Sequence, residues 1–97
     1  MLMDMLKDDP RDSFLRYAIG LELNKAGRVH DAIQALNEIQ EDDPDYLATY
    51  YQLGQFHEQI GQQEKSKSYY EKGIEIALAQ REMKILAELR EALNLLD

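Results

Sequence analysis

The sequence predicts an all-α superhelix of antiparallel helix hairpins, with about five helices. Three observations predict it. The 97-residue chain repeats itself at a spacing of 34: Asp8-Asp9-Pro10 recurs as Asp42-Asp43-Pro44, Tyr17 as Tyr51, Gly20 as Gly54 and Gly27 as Gly61. Apolar positions obey the same shift, Leu2 to Leu36, Met5 to Ile39 and Ile19 to Leu53. A fixed period of this length marks stacked supersecondary units. Second, apolar residues recur at helical spacing between Gly and Pro breaks. Third, no segment sustains period-2 alternation, and the connections are too short for strand crossovers.

The elements follow in order. Pro10 ends a short apolar stretch, and Asp12 and Ser13 are good helix caps. Helical spacing then runs through Leu15, Ile19, Leu23 and Ala26. Gly27 ends this helix, because glycine adopts the left-handed C′ conformation without steric cost. A second series occupies Val29, Ala32, Ile33, Leu36 and Ile39; Pro44 stops it, and Asp45 is placed to cap the next helix. Tyr46, Tyr50, Leu53, His57 and Ile60 form a third face, closed by Gly61. Ser66, Tyr69, Tyr70, Gly73 and Ala77 form a fourth. Near Gln80-Arg81 neither Gly nor Pro marks a break, so the fourth helix either ends there or runs on with a kink.

Glycine inside a helix costs about 1 kcal/mol relative to alanine. Gly20, Gly54 and Gly73 therefore mark places where another helix comes close. Shifting the third helix by 36 residues maps Tyr50, Leu53, His57 and Ile60 onto Leu86, Leu89, Leu93 and Leu96. Residues 82–96 thus read as one more first-type helix. Gly54 maps onto Arg90 under this shift, and a bulky Arg would not accept a further docking helix, so the segment reads as a cap that ends the stack.

Composition narrows the function. Net charge is −8, with five Lys/Arg against eleven Asp/Glu in residues 1–46 and six against eight in residues 47–97. Nucleic acid binding needs a basic footprint, and anionic lipid would be repelled, so neither is expected. No apolar run approaches the ~20 residues of a membrane span. The first ten residues carry acids where a signal peptide carries bases, so they are read as part of the fold. Cysteine is absent, which excludes disulfides and thiolate metal sites and suits the cytoplasm.

Chemistry-bearing patterns are sparse. His30 and His57 lack helix-face ligand spacing, and His57 falls on an interior stripe, where it reads as a packed core histidine. The run Glu41-Asp42-Asp43-Asp45 lacks the spaced ligands and loop Gly of a calcium site and reads as a solvated turn. There is no phosphate loop and no nucleophile elbow. The expectation is a protein that is not an enzyme and takes no cofactor and no metal.

The two-helix unit, the 34-residue step, the mid-helix Gly, the inter-helix Gly and the closing Pro together resemble the tetratricopeptide repeat family. In the second unit Tyr50, Leu53, Gly54, Gly61, Ser66, Tyr70 and Gly73 occupy the signature slots. The first unit has Ile19, Gly20, Leu23, Gly27, Ala32, Leu36, Ile39 and Pro44. Departures stand at Arg16, where the family favours a large aromatic, at His57, usually Tyr, and at Leu78, where Pro would close the repeat. The resemblance implies a single domain over 1–97: an N-terminal stub at 1–12, repeats at 13–46 and 47–80, and a C-terminal capping helix at 81–97. It is similar to small bacterial-type two-repeat proteins with a terminal cap.

The resemblance also implies that a peptide or partner protein binds in a concave groove lined by the first helix of each unit. The inward set is Phe14, Tyr17, Ala18, Leu21 and Lys25 in the first helix and Ala48, Tyr51, Gln52, Gln55 and Gln59 in the third. The cap adds Lys84, Glu88 and Glu91. Phe14, Tyr17, Leu21 and Tyr51 form an apolar-aromatic stripe apart from the seam residues Ile19, Leu23, Leu53 and His57. Gln52 and Gln55 offer amides to an extended backbone. Family members that hold a chaperone's C-terminal carboxylate do so with Lys and Asn; the matching places here hold Tyr17, Leu21 and Gln52, which disfavours that ligand. The alternative reading is a self-associating structural module, a homodimer through the groove or the C-terminal helix.

Overall fold

A computed structural model describes residues 12–96. The stub predicted at 1–12 therefore lies, apart from Asp12, outside the described residues, as does the first copy of the Asp-Asp-Pro repeat. Among the described residues there are five α-helices and no strand: α1 (Ser13–Lys25), α2 (Val29–Asp42), α3 (Ala48–Gln59), α4 (Gln63–Gln80) and α5 (Met83–Leu95). Contacts cluster into two compact units that divide between Thr49 and Tyr50, inside the first turn of α3.

In the first unit, Asp12 is the cap of α1: its carboxylate accepts from the Leu15 N–H at 3.0 Å. Ser13 is already helical, and its hydroxyl donates to Asp43 Oδ2 at 2.8 Å, tying the start of α1 to the end of α2. Gly27 lies at φ +80°, where its N–H donates to the Asn24 carbonyl and Arg28 N–H to that of Leu23. This is the paired bonding of a Schellman stop. α2 buries Ala32, Leu36 and Ile39 completely, one stripe at i, i+4 and i+7. Leu36 meets α1 at Gly20, where an added Cβ would stand 2.9 Å from Leu36 Cδ2. The seam is thus centred on Gly20, while Ile19 and Leu23, expected to carry it, stay only half-buried.

Arg16 stands where an aromatic was expected. Its side chain is 11% exposed, and the guanidinium pairs with Asp42 at 2.8 Å and approaches Glu38 at 3.7 Å. The acidic run at 41–45 is thereby partly engaged: Asp42 holds Arg16, and Asp43 holds Ser13. After α2 the chain turns with Tyr46 N–H donating to the Asp43 carbonyl. Helix α3 begins only at Ala48, so Asp45 and Tyr46 belong to the turn and Asp45 is not the cap the sequence suggested.

In the second unit, α3 and α4 repeat the same contact with larger groups. Tyr70 stands in α4 where Leu36 stands in α2, and its ring lies on the backbone of Gly54. Ser66, matching Ala32, is buried and donates from Oγ to the Gly54 carbonyl at 2.8 Å. The hydroxyl is satisfied at the closest approach of the two helices. Gly61, at φ +75°, ends α3 with the same pair of bonds as Gly27, here to Glu58 and His57.

Helix α4 does end near Gln80. Arg81 N–H donates to Leu78 and Glu82 N–H to Ala77, the same stop again, but with Arg81 at φ +59° in place of glycine. Helix α5 then packs back on α4 with Leu86, Leu89 and Ala92 buried. Gly73 makes room for two neighbours: a Cβ there would stand 2.9 Å from Tyr50 Cβ and 3.1 Å from Leu89 Cδ1. Arg90 is exposed.

Candidate functional site

The side chains predicted to meet a partner take up different positions in their two units. On α1, Phe14 is 64% exposed, while Leu21 and Tyr17 are half-buried. The Tyr17 ring packs on Tyr46, with centroids 6.0 Å apart and planes tilted at 58°. Burial first, then the neighbouring Tyr17 and the acids Asp12 and Asp43, push the Tyr46 phenol above its ordinary pKa. On α3, Tyr51, Gln52 and Gln55 are all half-buried.

Tyr51 and Gln55 line an open cleft of about 410 Å³ within the second unit. They share it with Glu58, one turn further along α3, and with Glu88, Glu91, Ala92 and Leu95 of α5. Helical spacing explains both walls. Residues 51, 55 and 58 lie at i, i+4 and i+7, and residues 88, 91, 92 and 95 at i, i+3, i+4 and i+7. Glu88 and Glu91 were assigned to the inward face from the sequence; Lys84, assigned with them, does not line the cleft, nor does Gln52. Glu58 and Leu95 were missed, although extending the same spacing from Gln55 and Glu91 reaches them.

A buried phenol organises one wall. Tyr70 donates its hydroxyl to the Glu58 carboxylate, and Gln55 Nε2 donates to Tyr70 Oη at 2.6 Å. Burial, reinforced by the Glu58 acceptor, holds the phenol well above the usual tyrosine pKa, so it stays a donor. The Tyr51 ring lies against Tyr70 at 6.1 Å between centroids. The Gln55 amide is therefore held in place, and Glu58 presents its carboxylate with one oxygen already engaged.

A second cleft, of about 270 Å³, adjoins the first. It shares Glu58 and Leu95 and extends to Gly61, Gln63 and Leu96. Gln63 donates to the Leu96 carbonyl across it. Among the described residues no three His, Asp or Glu side chains converge as metal ligands would. No helix of the described residues is long and apolar enough to cross a membrane.

Two solved structures match this architecture over nearly its whole length. One is a solution structure of a tetratricopeptide repeat domain protein from Salinibacter ruber, 36% identical, covering 92% of this chain and 90% of that one with a TM-score of 0.88. The chain belongs to the tetratricopeptide repeat family. A crystal structure of a tetratricopeptide repeat domain protein from the same organism matches with 35% identity over 88% of this chain and 94% of that one, with a TM-score of 0.83. The family's sequence profile, described as tetratricopeptide repeat, matches residues 47–80, the better of the two units read from the sequence. No curated protein matches the chain. Tetratricopeptide repeats are in general protein-interaction scaffolds, and this chain carries a Gly–aromatic contact at Gly54–Tyr70 and a Gly–aliphatic one at Gly20–Leu36.

Proposed function

We propose that this tetratricopeptide chain is an interaction module that binds a peptide or partner segment along the first helix of each hairpin. Phe14, Tyr17 and Leu21 on α1 and Tyr51, Gln52 and Gln55 on α3 would make the contacts. The observation that carries this reading is the open cleft beside Tyr51 and Gln55, whose amide is pre-positioned by Tyr70. The exposed ring of Phe14 supports it from the first unit. No catalytic role is assigned, and the cytoplasm is the compartment proposed.

Capture from a cell lysate tests it. The Tyr17→Ala/Tyr51→Ala double variant should lose partners that the wild type retains, with helical content unchanged by circular dichroism. Identical captured sets would reject the reading.

A second reading is self-association, a homodimer through the groove or the C-terminal helix, where Met83 and Leu95 at the two ends of α5 are 61% and 79% exposed. Sedimentation over a range of concentrations decides it: a concentration-independent monomer rejects the dimer.

A further inference from the structure

We propose that the cleft of the second unit receives an arginine side chain presented by a basic, extended segment of a partner protein. This rests on the interaction-module reading and adds the partner's chemistry to it. The cleft has the size of a ligand site, at about 410 Å³. Three of its lining residues are carboxylates, Glu58 on α3 and Glu88 and Glu91 on α5, and no Lys, Arg or His lines it. Neither Glu88 nor Glu91 forms an ion pair among the described residues. Glu58 lines the cleft with one oxygen accepting from the Tyr70 hydroxyl.

The remaining lining is the Gln55 amide, held by Tyr70, and an apolar surface. Tyr51, Ala92 and Leu95 provide a ring and aliphatic surface next to the carboxylates. An arginine matches that combination: its methylene stem covers apolar surface while the guanidinium pairs with carboxylate and stacks on a ring. Bidentate pairing with a glutamate is geometrically specific to guanidinium, which favours Arg over Lys. The adjoining cleft of about 270 Å³, sharing Glu58 and Leu95, supplies room for the segment to continue beyond the anchoring residue. The net charge of −8 draws a basic partner toward the chain before contact.

Fluorescence anisotropy with the full chain tests this. The probes are three labelled, end-capped peptides of alternating leucine with arginine, with glutamine or with glutamate. Saturable binding of the arginine peptide alone is expected, weakening as salt is raised. Glu88→Lys/Glu91→Lys should lower its affinity about tenfold or more. Glu71→Lys/Glu75→Lys, an exposed pair on α4 outside the cleft with the same change in net charge, should leave affinity within about twofold. Circular dichroism establishes that both variants fold. The proposal is overturned if no peptide saturates, if the glutamine or glutamate peptide binds as well, or if the two double variants behave alike. If it fails while Tyr17→Ala/Tyr51→Ala still loses captured partners, the module reading stands and only the arginine site falls.

Discussion

Tyr70 occupies the space that a side chain on Gly54 would need: a Cβ built on Gly54 would lie 2.6 Å from Tyr70 Cδ1 and Cζ alike. The glycine and the aromatic are one packing unit. The same pair recurs 34 residues earlier as Gly20 and Leu36, with a flexible methyl in place of the rigid ring. This contact also positions the Tyr70 hydroxyl that fixes Gln55 and Glu58 at the cleft.

Substitution should therefore be tolerated unequally at the two glycines. Gly54→Leu should destabilise by about 1–3 kcal/mol through overpacking. Gly54→Ala should cost more than Gly20→Ala, because the Leu36 methyl can shift by a few tenths of an ångström whereas the Tyr70 ring is held at its hydroxyl by Gln55 and Glu58. In either case Ala gains about 1 kcal/mol in helix propensity, which offsets part of the clash. Urea unfolding of the three variants checks the order; equal midpoints for Gly54→Ala and Gly20→Ala would contradict it.

Arg81 ends α4 in the left-handed region that Gly27 and Gly61 occupy at the equivalent stops. The Cβ penalty there is about 1 kcal/mol or slightly more, reduced by the greater freedom of glycine in the unfolded chain. Arg81→Gly should stabilise the second unit by about 0.5–1 kcal/mol. A thermal melt that falls on this substitution would show that Arg81 makes compensating contacts.

His57 is buried against Tyr69, with ring centroids 5.1 Å apart and its Nδ1 lacking a hydrogen-bond partner. Burial, and secondarily the charge of Lys65, lowers its pKa from 6.5. The unfolded chain then binds a proton before the folded one does, so stability is present above the unfolded value of 6.5 and is lost as pH falls below it. Urea midpoints at about pH 7 and about pH 5 should differ less in His57→Phe than in the wild type, since Phe keeps a ring for Tyr69 and removes the titration. Parallel losses in both proteins would remove His57 as the cause.

Arg16 takes the aromatic slot of the first unit and spends its charge on Asp42 and Glu38 of α2. The Asp42 and Glu38 side chains are 41% and 57% exposed, so solvent screens the pair. Arg16→Ala should cost about 1 kcal/mol at low salt, with the difference shrinking as salt rises. Unfolding in dilute buffer and in molar sodium chloride distinguishes this from a packing loss, which salt would not diminish.

Much of this was legible from residue spacing. The repeat located Gly20 and Gly54 at close helix contacts and Gly27 and Gly61 at helix ends. The 36-residue shift located α5 and brought Glu88 and Glu91 to the same face as Tyr51 and Gln55. Other features were not legible. Asp45 has the chemistry of a cap, yet α3 starts three residues later because the Asp43–Tyr46 turn intervenes. Arg81 bears no turn signature, yet it adopts the left-handed stop because the carbonyls of Ala77 and Leu78 recruit the following N–H groups.

By itself the sequence determined that the chain folds as helix hairpins and which glycines stand at helix contacts and helix ends, since period and side-chain size are local properties of a repeating unit. Tertiary structure alone decided that Tyr70 reaches across α3 to Glu58, and that Glu58 and Leu95 complete a cleft with residues thirty or more positions away on the facing helix. Helical spacing says which residues share a face. Which two faces meet, and what is left open between them, depends on how helices pack in space.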